Sequence, residues 1–165
     1  DFREGWLSRA WQIHGSWSLQ QAAAETQTDP VLARYEDAVP GAYVPDLSAS
    51  KLSIVLTEVH EFSGNRSALL VGYRGTRGCK ISLITFTRPL NLETKLRYFR
   101  QGTNEAYAWK AGHLGYVILS DGMDPHRFKI LAKSVRQTSR LHLPFDKKTY
   151  LALQKSRKES APCLA

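Results

Sequence analysis

His60 stands between Glu58 and Glu61 in the run EVHEF. On an extended strand alternate side chains share a face, so Glu58 and His60 would project together. That pairing suits half of a metal site or a base with an orienting carboxylate. It suits equally a surface cluster on a strand, and the plainer reading is preferred. His126 follows Asp124 at the start of a helix-like pattern, where Asp124 reads as an N-cap. His14, His113 and His142 are scattered, and none of the five histidines falls at i, i+4 from another ligand type on a predicted helix. Two cysteines, Cys79 and Cys163, occur without a CxxC, so a zinc-ribbon site is excluded on count. They admit one disulfide or a redox function in an oxidising compartment, or two separate thiols; Cys163 sits in a C-terminal stretch expected to fray. There is no Walker A, GxGxxG, HExxH or GxSxG motif. GYRGTRG (residues 72–78) lies between strands rather than opening a helix, which argues against a phosphate loop. No catalytic residue, metal or cofactor is assigned, and the chain is read as non-enzymatic.

Charge is the second signal. Residues 1–65 hold 4 Lys/Arg against 9 Asp/Glu, and residues 66–165 hold 19 against 6. An asymmetry of this kind marks either a solvated basic face or contact with an anionic polymer, a nucleic acid or a membrane surface. Arg127, Lys129, Lys133, Arg136 and Arg140 form the candidate basic contact face, on one predicted helix near the C-terminus. A second candidate is the run KLRYFRQGTNEAYAWKAGH, where Tyr98, Phe99, Tyr107 and Trp109 interleave with Arg97, Arg100 and Lys110 in the manner of a stacking platform for single strands. Strand alternation sends half of those aromatics to the core, so nucleic acid is not expected as the partner.

The elements that must position these residues are legible from period and turn chemistry. Trp6, Ala10, Ile13 and Trp17 recur at helical spacing over residues 5–25. The three tryptophans of that helix suit docking on a core or rest at a membrane interface. Docking is preferred, because its polar face carries only Arg3 and Arg9. A short second helix is expected over 31–38, with Asp29 as N-cap and Pro30 at N1, and residues 39–50 read as a linker. Six strands follow, over 51–62, 67–74, 79–87, 95–102, 104–112 and 113–120, joined by tight turns such as SGNR and GTRG. Short sequential strands predict an antiparallel, meander-like sheet. Asp124 and Pro125 then start a helix whose Phe128, Leu131, Ala132 and Val135 share one face. A further short helix begins near Asp146. The fold class is therefore α+β: an antiparallel sheet packed against a C-terminal helix, with an N-terminal helix. The domain reading is an N-terminal helical segment and linker over 1–42, an α+β domain over 43–145, and a short helix with a flexible basic tail over 146–165. No run approaches the ~18 apolar residues of a membrane span. The opening Asp1 suggests a fragment or processed product, with any signal or membrane helix upstream.

Three pieces in order carry a resemblance: the VPDLSA entry followed by the hairpin through GYRGTRGCKISLITF, the strands of YAWKAGHLGYVILSDGMD, and the closing helix PHRFKILAKSVRQTSR. Over residues 43–140 the chain resembles the extracytoplasmic region of bacterial transmembrane anti-sigma factors. The resemblance implies a periplasmic sensor or regulatory domain at the inner-membrane face. It also implies a sigma factor held by a cytoplasmic domain and a single membrane helix, neither of which lies in this sequence, and a periplasmic signalling protein or protease as further partner. It carries over no catalytic residues. The alternative function is a binding module for an anionic polymer, nucleic acid or membrane surface through the basic half.

Overall fold

A computed structural model describes residues 5–19 and 37–163. The chain order is α1 (Gly5–Ser18), a 3₁₀ turn (Ser48–Ser50), β1 (Leu52–Phe62), β2 (Arg66–Gly75), β3 (Lys80–Thr87), β4 (Arg97–Gln101), β5 (Asn104–Ala111), β6 (Leu114–Asp121), α2 (Pro125–Ser139) and α3 (Lys147–Glu159). This is the α+β class expected, with strand limits within two residues of those read from the pattern. Of the short helix expected over 31–38, residues 37 and 38 are helical, while its earlier residues with Asp29 and Pro30, and the continuation of α1 beyond residue 19, lie outside the described residues.

The six strands form one antiparallel sheet in the order β1-β2-β3-β6-β5-β4. Two three-stranded meanders are thus zipped together along β3 and β6, with Leu83 opposite Ile118 at the seam. The β3–β4 connection must cross from the middle of the sheet to its far edge. Turn chemistry fixes the registers: Gly64, Gly78, Gly102 and Gly112 all have positive φ between strands. A bulge between Ile54 and Leu56 bends the outer strand β1.

β2, β3, β5 and β6 are buried on both faces, because the sheet is the middle of three layers. On one face Leu69, Val71, Tyr73, Ile81, Leu83, Trp109, Tyr116 and Ile118 pack against Phe128, Leu131, Ala132 and Val135 of α2, with Leu153 of α3 in the same core. On the other, Leu70, Ile84, Phe86, Val117 and Leu119 pack beneath α1. The predicted stripe of α1 is the one that docks: Trp6, Ala10, Ile13 and Trp17 are all buried. Small residues on this face make the room. A Cβ on Gly72 would come within 3.0 Å of the Trp17 ring, so glycine there is a seat for that indole. Trp6 stacks on Phe86 and meets Phe99 edge-on, at 5.7 and 5.6 Å between centroids.

Two segments expected to be loose are packed. In the stretch read as a linker, Val39, Ala42, Tyr43, Leu47 and Ala49 are buried in the α2-side core. Tyr43 N donates to Tyr116 Oη at 3.0 Å, and Tyr73 Oη donates to Pro45 O at 2.7 Å. The C-terminal stretch expected to fray is held as far as Cys163, which is buried. Proline, glycine and small polar residues mark irregular backbone; irregular backbone is not the same as absence of packing.

Burial sets the ionisation of two tyrosines. Tyr73 is held well above its usual 10.0 by burial, and then by the nearby Tyr43 and Asp46 charges. Tyr116 is pushed up to about 12, again by burial, against the opposing Tyr43 N–H bond. An acid whose folded value is raised keeps its proton in the folded state after the unfolded chain has lost it, so stability falls as pH rises above 10. In an alkaline titration followed at the phenolate absorbance, both should ionise only together with loss of tertiary structure. Smooth titration of every tyrosine near 10 in a still-folded chain would contradict this burial.

Candidate functional site

Three constellations gather chemistry-bearing side chains. The first surrounds Arg127 at the start of α2. Asp124 caps that helix by accepting the Arg127 backbone N–H at 3.0 Å, and Pro125 occupies the first turn, as the sequence predicts. The Arg127 side chain does not join the exposed basic face expected of it; it is 2% exposed. The helical wheel placed it with the cations, whereas the fold turns it inward, where Nη2 donates to Ser50 O at 2.8 Å and to Ser50 Oγ at 3.1 Å, and Nη1 to Cys79 Sγ at 3.3 Å. Burial, with Arg77 and Arg157 nearby, lowers its pKa to about 10 against the opposing pull of Asp124, so it remains charged at neutral pH. Cys79 and Cys163, which the sequence left as bridge or separate thiols, are joined in a disulfide with Cα atoms 4.9 Å apart. Arg77 reinforces this corner by donating to the carbonyls of Arg157 and Ser160, and Arg157 Nη2 donates to Thr76 Oγ1 at 3.0 Å.

The second constellation was not legible in the sequence. His14 of α1, Ser82 of β3 and Asp121 at the end of β6 meet beneath α1. His14 Nδ1 lies 2.6 Å from Ser82 Oγ, and Nε2 lies 3.2 Å from Asp121 Oδ1 without a well-directed acceptor. Trp17 Nε1 donates to the same Ser82 Oγ at 2.8 Å, and Lys80 Nζ to Ser18 O at 2.5 Å. Acid, imidazole and hydroxyl are arranged in the order of a hydrolytic triad. A nucleophile must meet substrate, however, and Ser82 is completely buried. The array acts as a polar latch that fixes the rotation of α1 on the sheet. The only hint in the sequence is that His14 and Ser82 interrupt otherwise apolar faces.

The third is basic. Lys129 and Lys133 on α2 and Arg140 at its C-cap are exposed, and Arg136 is half-buried, its Nε donating to Thr94 O at 2.5 Å. Lys133, Arg136 and Arg140 line a concave surface that also takes in Lys95 and Lys110, two residues absent from the expected face. Lys129 lines neither of its hollows.

The remaining expectations resolve simply. His60 Nε2 lies 2.8 Å from Glu58 Oε2, so the two do share a face of β1. Among the described residues no group of three or more His, Cys, Asp and Glu side chains could hold a metal. The aromatic platform does not exist as a surface: Trp109, Tyr107 and Phe99 are buried, and of the four only Tyr98 is exposed, at 46%. Tyr98 donates to Glu105 Oε2 at 2.7 Å, which ties it down against the sheet. No described helix is long and apolar enough to cross a membrane. Comparison with family models, curated proteins and solved structures finds no match for this chain.

Two outcomes check this geometry. Reducing the disulfide reopens a link across 84 positions and should lower unfolding stability by about 2–5 kcal/mol, read from denaturant midpoints with and without reductant. Ser82→Ala leaves both His14 Nδ1 and Trp17 Nε1 without their shared partner and should cost about 1–3 kcal/mol. It should also shift Trp17 emission, whereas Ser53→Ala on the exposed side of β1 should do neither.

Proposed function

We propose that the chain is the extracytoplasmic regulatory domain of a bacterial transmembrane anti-sigma factor, acting without catalysis. The observation that carries the reading is the disulfide between Cys79 and Cys163. A buried structural bridge is the mark of an oxidising compartment such as the periplasm. The motifs behind the resemblance also have coherent structural duties. The VPDLSA entry supplies the Pro45 carbonyl to Tyr73, and its Asp46 side chain accepts from Ser48 N at 2.9 Å. Ser50, just beyond it, receives the buried Arg127. The tryptophan strand seats Trp109, whose Nε1 donates to Ser139 Oγ on the closing helix at 3.0 Å. The triad-like array closed beneath α1 favours a binding or signalling role over hydrolysis.

In this reading α1 is a helix folded back on the domain rather than a free stalk. Control of the sigma factor would be exerted through a cytoplasmic domain and membrane helix of the parent protein. Events in the periplasm, such as docking of a signalling protein or protease, would reach that domain through the segment carrying α1.

Deleting the gene in its own bacterium is expected to raise transcription from an extracytoplasmic-sigma-dependent promoter by about tenfold or more, a change of roughly 1.4 kcal/mol in promoter occupancy. Repression should return with the intact gene. In whole cells the Cys79–Cys163 bridge should be present, its thiols labelled by a maleimide only after the protein is denatured and reduced. Unchanged transcription in the deletion strain, or reduced cysteines in whole cells, would rule the reading out.

A further inference from the structure

The basic concavity beside the end of α2 is built from more of the chain than the helix alone. Lys133 and Arg136 belong to its last two turns and Arg140 is its C-cap, where the negative end of the helix dipole favours cations. That reason does not extend to Lys95, on the β3–β4 connection, or to Lys110, at the end of β5. Both are brought there by backbone-directed bonds. Lys110 N donates to Glu93 O at 2.7 Å, and Arg136 Nε to Thr94 O at 2.5 Å, drawing the connection across the helix end. The result is two adjoining hollows. One, of about 590 Å³, holds Lys110, Arg136 and Arg140; the other, of about 450 Å³, holds Lys95, Lys133 and Arg136. Arg136 and Gln137 belong to both, and no carboxylate side chain lines either.

Five cations from three segments around one concavity repel one another, and among the described residues none of them is in an ion pair. Such a surface focuses a positive potential that a bound anion relieves. Arginine forks match the oxygens of phosphate in pairs, and lysines add point charges. We propose that this cleft binds a ligand carrying two or more phosphate groups, one held by Lys110 and Arg140, the other by Lys95 and Lys133, with Arg136 between them. The inference stands on this cleft alone and does not depend on the regulatory reading. The same chemistry is offered by a soluble polyphosphate and by a diphosphate lipid headgroup at a membrane surface.

The test uses the whole chain at physiological ionic strength, with inorganic pyrophosphate by titration calorimetry and phosphatidylcholine vesicles with and without cardiolipin by co-sedimentation. Binding is expected to at least one of these phosphate probes, falling steeply with added salt. Lys133→Gln with Arg140→Gln should weaken it about tenfold or more, through loss of charge-assisted hydrogen bonds to phosphate oxygens. The matched control Lys147→Gln with Lys148→Gln, on α3 outside the cleft, should leave it nearly unchanged. Pyrophosphate binding alone identifies a soluble ligand; cardiolipin dependence alone identifies a lipid headgroup; both support the shared site. Binding of neither probe, or equal loss in the two double variants, overturns the proposal, the second because it would show only diffuse charge.

Discussion

The central strands of this sheet are apolar on both faces, and that constraint dictates the rest of the molecule. A sheet with one wet face needs cover on one side only. Here β3 carries Ile81 and Leu83 towards α2, and Ile84 and Phe86 towards α1. Each face must be removed from water, at about 25 cal/mol per Å² of apolar surface. The N-terminal helix is therefore a structural layer of the domain, although it precedes the sheet by more than thirty residues of sequence. Its position is set by close fits: Trp17 over Gly72, Trp6 over Phe86, and the polar latch of His14 and Ser82.

The opposite side is organised by a buried cation. Arg127 draws the 3₁₀ turn through Ser50 and the β2–β3 hairpin through Cys79, while Cys79 holds the C-terminal segment covalently. An unpaired guanidinium would be costly in such a place. Its hydrogen bonds to a carbonyl, a hydroxyl and a sulfur offset the desolvation, and Asp124 supplies a nearby negative charge. Four segments distant in sequence thus share one junction. The basic cleft is the converse case, since its cations stay at the surface around a hollow large enough for a ligand; of the cations of α2 only Lys129 belongs to neither arrangement.

Elements were legible because period and turn residues are local properties. Alternation and glycine turns marked all six strands, and Asp124 and Asp146 marked two helix starts; Asp124 caps as read, accepting the backbone N–H of Arg127, and the structure adds that Asp146 caps in the same way, accepting that of Thr149. The pairing of Glu58 with His60 was also legible, being fixed by two-residue spacing on one strand. What failed was inference from composition to environment. Residues 39–50 looked like a linker and are packed; the stretch from Lys155 on looked frayed, yet the helix runs to Glu159 and Cys163 is tied by a disulfide; of the aromatics of β4 and β5, half of which alternation sent to the core, three of the four named are buried.

By itself the sequence determined the α+β class, the strands, the caps and the docking stripe of α1, because each follows from spacing along a few residues. Only the tertiary structure decided that β3 pairs with β6, that Arg127 turns inward, that Cys79 meets Cys163, and that His14, Ser82 and Asp121 converge. It also decided that Lys95 and Lys110 join the cations of α2 at one cleft. Each of these joins residues far apart in the chain. Such contacts are fixed by the packing of whole layers against one another, which no local pattern encodes.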